Sequence, residues 1–282
     1  MTSRRDFLQA AALAALSATA RATQLKAIGV QLYTVRGILP QKPAETLNAI
    51  RAIGYTEIEA TWAGYDRLRP LVEASGLKAV SMHVDNMLMT KGADEMSRVV
   101  DQLKGWEFPY AVFPYLPAPQ RGGPEAIKAL AEKLNLFGEK CHAAGIQAAY
   151  HNHAFESAPA GGETLFQVLI DNTDKSLVGF EIDCFWLSVA GVDPVAFIQK
   201  LSGHVPLLHC KDKAQGTGQR FNESVPATAF KEVGNGVLDW PAILRAAAAA
   251  GVQHYFVEQD QTPGDPLDSI RQSYNYLSKL NY

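Results

Sequence analysis

Cysteine is scarce: only Cys141, Cys184 and Cys210 occur in 282 residues. Three thiols with no C-x-x-C pair make neither a disulfide framework nor a zinc motif, so buried free thiols are expected. A phosphate-binding glycine loop is missing too. The first β-rich run leads into "GVQLYTVRG", which has no G-x-G-x-x-G and so argues against a doubly wound nucleotide-binding sheet. There is also no basic stripe. Lys and Arg number 26 against 29 Asp and Glu, a formal net charge of −3, which makes nucleic acid or an anionic membrane surface a poor partner. No low-complexity linker or second compositional block interrupts the chain, and one domain is expected.

What is present is a regular alternation. Short β-rich runs ("AIGVQLY" 27–33, "YTEIEA" 55–60, "KAVSMHV" 78–84, "YAVFPYL" 110–116, "IQAAYHNH" 146–153, "LVGFEIDCF" 177–185, "VPLLHCK" 205–211, "HYFVEQ" 254–259) are separated by helix-like segments. Among the latter are 43–53, 123–145 and 239–251, and Gly54, Gly76, Gly145 and Gly251 stand where a helix would end before the next strand. Eight strand–helix units in this length predict a single-domain α/β fold, a (β/α)8 TIM barrel, over residues 25–282.

The N-terminus reads differently. "SRRDFLQAAALAALSATARA" carries Arg4-Arg5, a short Ala/Leu-rich stretch and Ala20-Arg21-Ala22. It resembles a bacterial twin-arginine export signal over residues 1–22, with cleavage after the small residues. The implied location is periplasmic. The apolar stretch is short for a bilayer span, so no stable membrane insertion is expected after cleavage.

In a barrel of this kind the chemistry gathers at the C-terminal ends of the strands, where alternate residues point inward. Strand 3 ends on His83. Strand 5 ends on His151 and His153, which share a face, with Glu156 following; strand 6 ends on Glu181 and Asp183, strand 7 on His209 and Lys211, and strand 8 on Glu258. Of seven histidines, His83, His151, His153 and His209 fall at these ends, whereas His142, His204 and His254 do not.

Each residue has a plainer reading. Asp183 could cap a helix, Glu258 could pair structurally with Lys211, and Lys211-Asp212 could be a salt-bridged loop start. Gly234-Asn235-Gly236 reads as a tight turn, Asp239 as a helix N-cap, and Phe185 and Trp186 as pocket wall or core. Together, carboxylates and imidazoles converging from four strands would repel or stay unpaired without a cation among them. Asp183, His209 and Glu258 with a fourth ligand from strand 5 make an N/O set suited to one divalent ion, Mn, Zn, Co or Fe, rather than Ca.

"GYTEIEA", "YHNHAFE", "FEIDCFWLSVAGVDP", "LLHCKD", "GNGVLDW" and "VEQD", in this order, resemble the sugar phosphate isomerase/epimerase branch of the xylose-isomerase-like barrel superfamily. The resemblance implies metal ligands at Asp183, His209 and Glu258. Where relatives place a strand-5 glutamate this chain has His151, and Glu156, five residues on, is the carboxylate that could curl back as ligand. An epimerase with two metal-bound glutamates is thereby replaced by an unequal acid/base pair, suited to isomerisation, dehydration or elimination as well as epimerisation.

The implied chemistry is enolisation of a keto-sugar, glycoside or polyol through a metal-stabilised enediolate. Glu258, His151, His153 and Lys211 are the expected acid/base groups. His83, Asn152, Trp186 and Glu181 are the expected substrate contacts, with His83 as a further proton shuttle. Export and the missing phosphate loop favour a free sugar, an oxidised glycoside or an inosose-like polyol over a sugar phosphate. Two alternatives stand beside this reading. Endonuclease IV has a similar barrel but wants three metals and a basic face, and a non-catalytic periplasmic sugar-binding or accessory protein could keep the barrel.

Overall fold

The computed structural model describes residues 23–282; the export-signal expectation for residues 1–22 lies outside the described residues. Eight parallel strands close into one barrel: β1 (Gly29–Gln31), β2 (Glu57–Thr61), β3 (Lys78–His83), β4 (Tyr110–Phe113), β5 (Gln147–His151), β6 (Val178–Asp183), β7 (Leu207–Cys210) and β8 (His254–Val257). Closure is direct, β1 pairing with β8 at Gly29↔Phe256 and Val30↔Val257.

The outer layer comprises α1 (Pro43–Ile53), α2 (Tyr65–Ser75), α3 (Ala93–Gly105), α4 (Pro124–Ala143), α5 (Leu165–Asn172), α6 (Cys184–Val189), α7 (Pro194–Lys200), α8 (Trp240–Ala250) and α9 (Pro266–Leu277). Among the described residues no helix is long and apolar enough to cross a membrane.

Local chemistry explains the element ends. Pro43 and Pro124 open α1 and α4, where a missing N–H costs nothing. The Asp239 side chain accepts from Ala242 N and caps α8. All four glycines expected at helix ends take positive φ, from +74° at Gly76 to +127° at Gly54. The three cysteines are free and buried. Strands β4, β5 and β6 stop earlier than their apolar runs. Pro114 follows β4 directly, and β6 yields at Asp183 because that side chain takes up Trp186 N and starts α6.

Alternation along the strands builds the barrel interior in tiers. Val80, Tyr110, Val112, Ala149, Leu207 and Phe256 form an apolar lower plug. Two residues further along β5, β6 and β7 the inward positions become His151, Glu181 and His209, with Glu181 paired to His151 on one side. The next step reaches His153, Asp183 and Lys211, and on β8 Phe256 gives way to Glu258. The polar tiers therefore stand on a packed apolar base, at the end of the barrel where the βα loops converge.

Candidate metal centre and active site

His151, Asp183, His209 and Glu258 are all buried, and one donor atom from each lies within 4.8 Å of every other. His209 Nδ1 is 3.0 Å from Glu258 Oε2 and 3.9 Å from Asp183 Oδ2, and His151 Nε2 is 3.9 Å from the same Asp183 oxygen. Such separations match donors gathered about 2.0–2.2 Å from one ion. Asp183 divides its labour: Oδ1 accepts from Trp186 N at 2.9 Å, while Oδ2 is buried and faces the quartet and the Lys211 ammonium.

Charge makes the same point. Four buried carboxylates (Glu59, Glu181, Asp183, Glu258) share this interior with one ammonium, that of Lys211. Buried anions in excess of cations demand a compensating positive charge, from imidazole protonation or from a metal. The donor set, two imidazoles and two carboxylates, fits a borderline divalent ion such as Zn²⁺, Mn²⁺, Co²⁺ or Fe²⁺.

Lys211 Nζ sits 2.9 Å from Asp183 Oδ2, 2.6 Å from Glu258 Oε2 and 3.2 Å from Asp260 Oδ1. Burial opposes its charge, but those three carboxylates hold the ammonium well above its usual range. Glu258 is held well below the carboxylate range, since Lys211 and His209 outweigh its burial. Burial is the leading cause that keeps His151 and His153 well below the usual imidazole range, reinforced by His209 for the first and Lys211 for the second. Both rings are thus neutral at physiological pH, one offering a lone pair to an ion and the other an acceptor to the cavity.

Above the quartet opens a cavity of about 790 Å³. His83, His151, His153, Trp186, Lys211 and Glu258 contribute to its lining, with Trp62 and Tyr115 among its aromatic walls. Trp186 is buried, its ring 5.5 Å from Lys211 Nζ and its Nε1 unpaired. An apolar and aromatic wall with a few converging polar groups suits a small polyhydroxy ligand.

The expected site residues separate into three groups. His83, His151, His153, Trp186, Lys211 and Glu258 face the cavity, with Asp183 and His209 in the wall beneath. Asn152 does not face it: its Oδ1 accepts from Asp183 N at 2.9 Å, which clamps the end of β5 to β6. Glu181 lies under the cavity, fully buried, with Oε2 2.8 Å from His83 Nε2, 3.2 Å from His151 Nδ1 and 3.3 Å from His209 Nε2.

Glu156, expected to curl back towards the ion, turns the other way. Its carboxylate accepts from Tyr150 Oη at 2.7 Å and from His153 N at 3.0 and 2.9 Å. Tyr150 follows the inward Ala149 and so points out of the barrel, which places Glu156 behind the wall. Burial raises its carboxyl to about 7, against the pull of those hydrogen bonds. The strand-5 member of the quartet is therefore His151.

One residue escaped the strand-end reading. Glu59 on β2 is fully buried, with Oε2 2.6 Å from His209 Nε2 and 2.9 Å from His83 Nε2. The signal was present in "YTEIEA": Glu57 and Glu59 alternate, so Glu59 occupies the inward position near the strand's C-terminal end. Burial would raise its pKa, but His83 and His209 hold it well below the usual range. His83 in turn is lifted to about 9, since Glu59 and Glu181 overcome its burial.

A family model described as the xylose isomerase-like TIM barrel matches residues 47–280. The chain belongs to this family. Among solved members of similar fold, a sugar phosphate isomerase/epimerase from Parabacteroides distasonis superposes with a TM-score of 0.76 at 24% identity, covering 93% of this chain and 96% of that one. An IolI protein crystallised with a bound zinc atom gives 0.66 at 15% identity, covering 88% and 95%. At these identities the likeness is one of fold.

Among curated relatives, the inosose dehydratase of Geobacillus thermodenitrificans is 26% identical over 160 residues, 52% of either chain. That of Halalkalibacterium halodurans is 27% identical over 162 residues, 53% of this chain and 52% of the relative. The chain spans about half the length of the curated relatives it matches.

Proposed function

We propose that this xylose isomerase-like barrel is a metal-dependent enzyme that removes a proton beside the carbonyl of a keto-sugar, oxidised glycoside or inosose-like polyol. The product then forms by isomerisation, epimerisation or loss of water. The carrying observation is the buried quartet His151, Asp183, His209 and Glu258 at the base of the cavity. The likeness to inosose dehydratases supports the same substrate class.

A divalent ion held by the quartet would supply Lewis-acid polarisation of the carbonyl and its neighbouring hydroxyl. The protein's own groups do the rest. Lys211, kept protonated by three carboxylates, stands ready to donate to a departing hydroxyl or to neutralise a developing oxyanion. His153, neutral and lining the cavity, accepts a proton, and Glu258 offers the second acceptor from β8. Trp186 and Trp62 give the sugar ring flat apolar walls. The unequal pair of imidazole and carboxylate favours one direction of proton transfer over symmetric epimerisation.

The substrate is free rather than phosphorylated. The first β-rich run leads into "GVQLYTVRG", which offers no glycine loop to cradle a phosphate. Export by the twin-arginine route to the periplasm, proposed from residues 1–22, agrees with that choice.

Metal content by mass spectrometry on wild type and Asp183→Ala tests the reading first. About one Mn, Zn, Co or Fe per chain is expected, lost in the variant. Exchange of the α-proton with deuterium is then followed over keto-sugars, inososes and their phosphates. No ion in wild type even after reconstitution, or a clear preference for phosphates, refutes the proposal. Sugar binding without turnover across the panel would favour a binding protein that has kept the barrel.

A further inference from the structure

Beneath the quartet lies a second polar tier that no step of the proposed reaction uses. Its carboxylates, Glu59 and Glu181, are both fully buried. Each imidazole of the quartet has two ring nitrogens, and the structure splits them between the tiers. The upper atoms are His209 Nδ1, near Glu258 and Asp183, and His151 Nε2, near Asp183. The lower ones are His209 Nε2, 2.6 Å from Glu59 Oε2, and His151 Nδ1, 3.2 Å from Glu181 Oε2.

We propose that Glu59 and Glu181 are positioning residues that form an acceptor floor under the metal centre. Glu59 holds the ring proton on His209 Nε2 by a hydrogen bond and Glu181 sets its charge beside His151 Nδ1, which together turn His209 Nδ1 and His151 Nε2 towards the ion. This role rests on the metal-dependent reading above. Metal-bound histidines generally give their second nitrogen to a carboxylate or carbonyl, which fixes the ring and raises its basicity.

The floor is itself built rigidly. Glu59 Oε1 accepts from Ser81 Oγ at 2.5 Å, and Gln31 Nε2 donates to Glu59 Oε2 at 2.9 Å. His83 Nε2 lies between the two carboxylates, 2.9 Å from Glu59 and 2.8 Å from Glu181, and separates their charges. These anchors come from β1, β2 and β3, across the barrel from the quartet's strands, so the floor ties the two halves of the interior together.

A rival use of the same atoms exists. His83, His151, Glu181 and His209 also bring one donor atom each within 4.8 Å of the others, a set that could hold a second ion. Stoichiometry separates the two.

The experiment measures Zn²⁺ binding to wild type, Glu59→Gln and Ser81→Ala by chelator competition, with ions per chain counted by mass spectrometry. Imidazole tautomers are read by ¹⁵N NMR, and melting curves check the fold. Expected are one ion per chain throughout, a Kd weakened about 10–100-fold in Glu59→Gln, and a smaller loss in Ser81→Ala, which only loosens Glu59. In the Zn²⁺-loaded protein His209 is expected to carry its proton on Nε2, and to lose that preference in Glu59→Gln.

Unchanged affinity in both folded variants overturns the floor while leaving the proposed function standing. Two ions in wild type with one lost in Glu59→Gln overturns it in favour of a second metal site. Wild type that takes up no ion refutes the proposed function and the floor's role with it. If Glu59→Gln fails to fold, Ser81→Ala decides by the same criteria.

Discussion

Asp212→Asn is the substitution whose cost can be worked most directly from the structure. The fully buried Asp212 carboxylate accepts five hydrogen bonds: Oδ1 from Lys213 N (2.8 Å) and Leu238 N (3.2 Å), Oδ2 from Gly234 N (2.9 Å), Gly236 N (3.2 Å) and Trp240 Nε1 (2.8 Å). It thereby closes the 212–239 loop, which supplies Glu223, Val225 and Phe230 to the cavity wall. Asparagine is nearly isosteric but keeps only one acceptor oxygen. In its better orientation the carbonyl replaces Oδ2 and keeps three bonds, while the amide confronts the N–H groups of Lys213 and Leu238.

Two bonds to a charged acceptor are lost, at about 1.5–3 kcal/mol each, so the variant should be destabilised by roughly 3–6 kcal/mol. For a barrel of this size that lowers Tm by on the order of 10 °C. The assay is paired thermal and urea unfolding, followed by Trp fluorescence because the buried Trp240 stands beside residue 212 and reports unfolding there. Ion content should stay near wild type, since the quartet lies on β5–β8, while sugar affinity falls as the wall loosens. A variant within about 0.5 kcal/mol of wild type, the range of an ordinary surface change, would refute the five-bond hub as what holds this loop.

Three further outcomes can be checked. Glu156→Gln tests the buried carboxyl raised to about 7 from 4.5. The folded state holds this proton more tightly than the unfolded one, so its stabilisation is complete below about pH 4.5 and is lost as pH rises through 7. Gln does not titrate, so the stability gap should move in its favour between pH 5 and 8, by on the order of 3 kcal/mol; a gap independent of pH would count against it. Gly29→Ala places a Cβ 2.4 Å from Phe256 Cδ1 inside the barrel and should cost about 1–3 kcal/mol by overpacking; an unchanged melting curve would show that the lower plug yields. Lys211→Met should cut turnover about 10²-fold or more with ion stoichiometry intact, and loss of the ion instead would show that Lys211 builds the site rather than serving the reaction.

Much of the architecture was legible residue by residue. Strand periodicity and terminal glycines are local properties, and all eight strands lie within the runs that alternation marks out, apart from the last residue of β2, Thr61. The inward side of His151, Asp183, His209, Lys211 and Glu258 followed from parity alone. Glu59 obeyed the same parity and was missed only because β2 carries no histidine to draw notice. Lys211-Asp212 showed the limit of pairwise reading. Lys211 does bridge carboxylates, but Asp212, next in sequence, faces outward and gathers backbone N–H groups from 213–238.

The sequence by itself determined the barrel, its tiers and the chemical character of its open end, because side-chain alternation repeats every two residues and needs no knowledge of neighbours. Only the tertiary structure decided which carboxylates meet which imidazoles. Glu156 lies beyond the end of β5, where parity no longer holds, and its direction was set by the outward Tyr150 hydroxyl. Glu181 and Glu59 sit far apart in the chain, and barrel closure alone brings both onto His209. Contacts made across a closed sheet depend on which strands stand opposite one another, and no local pattern carries that information.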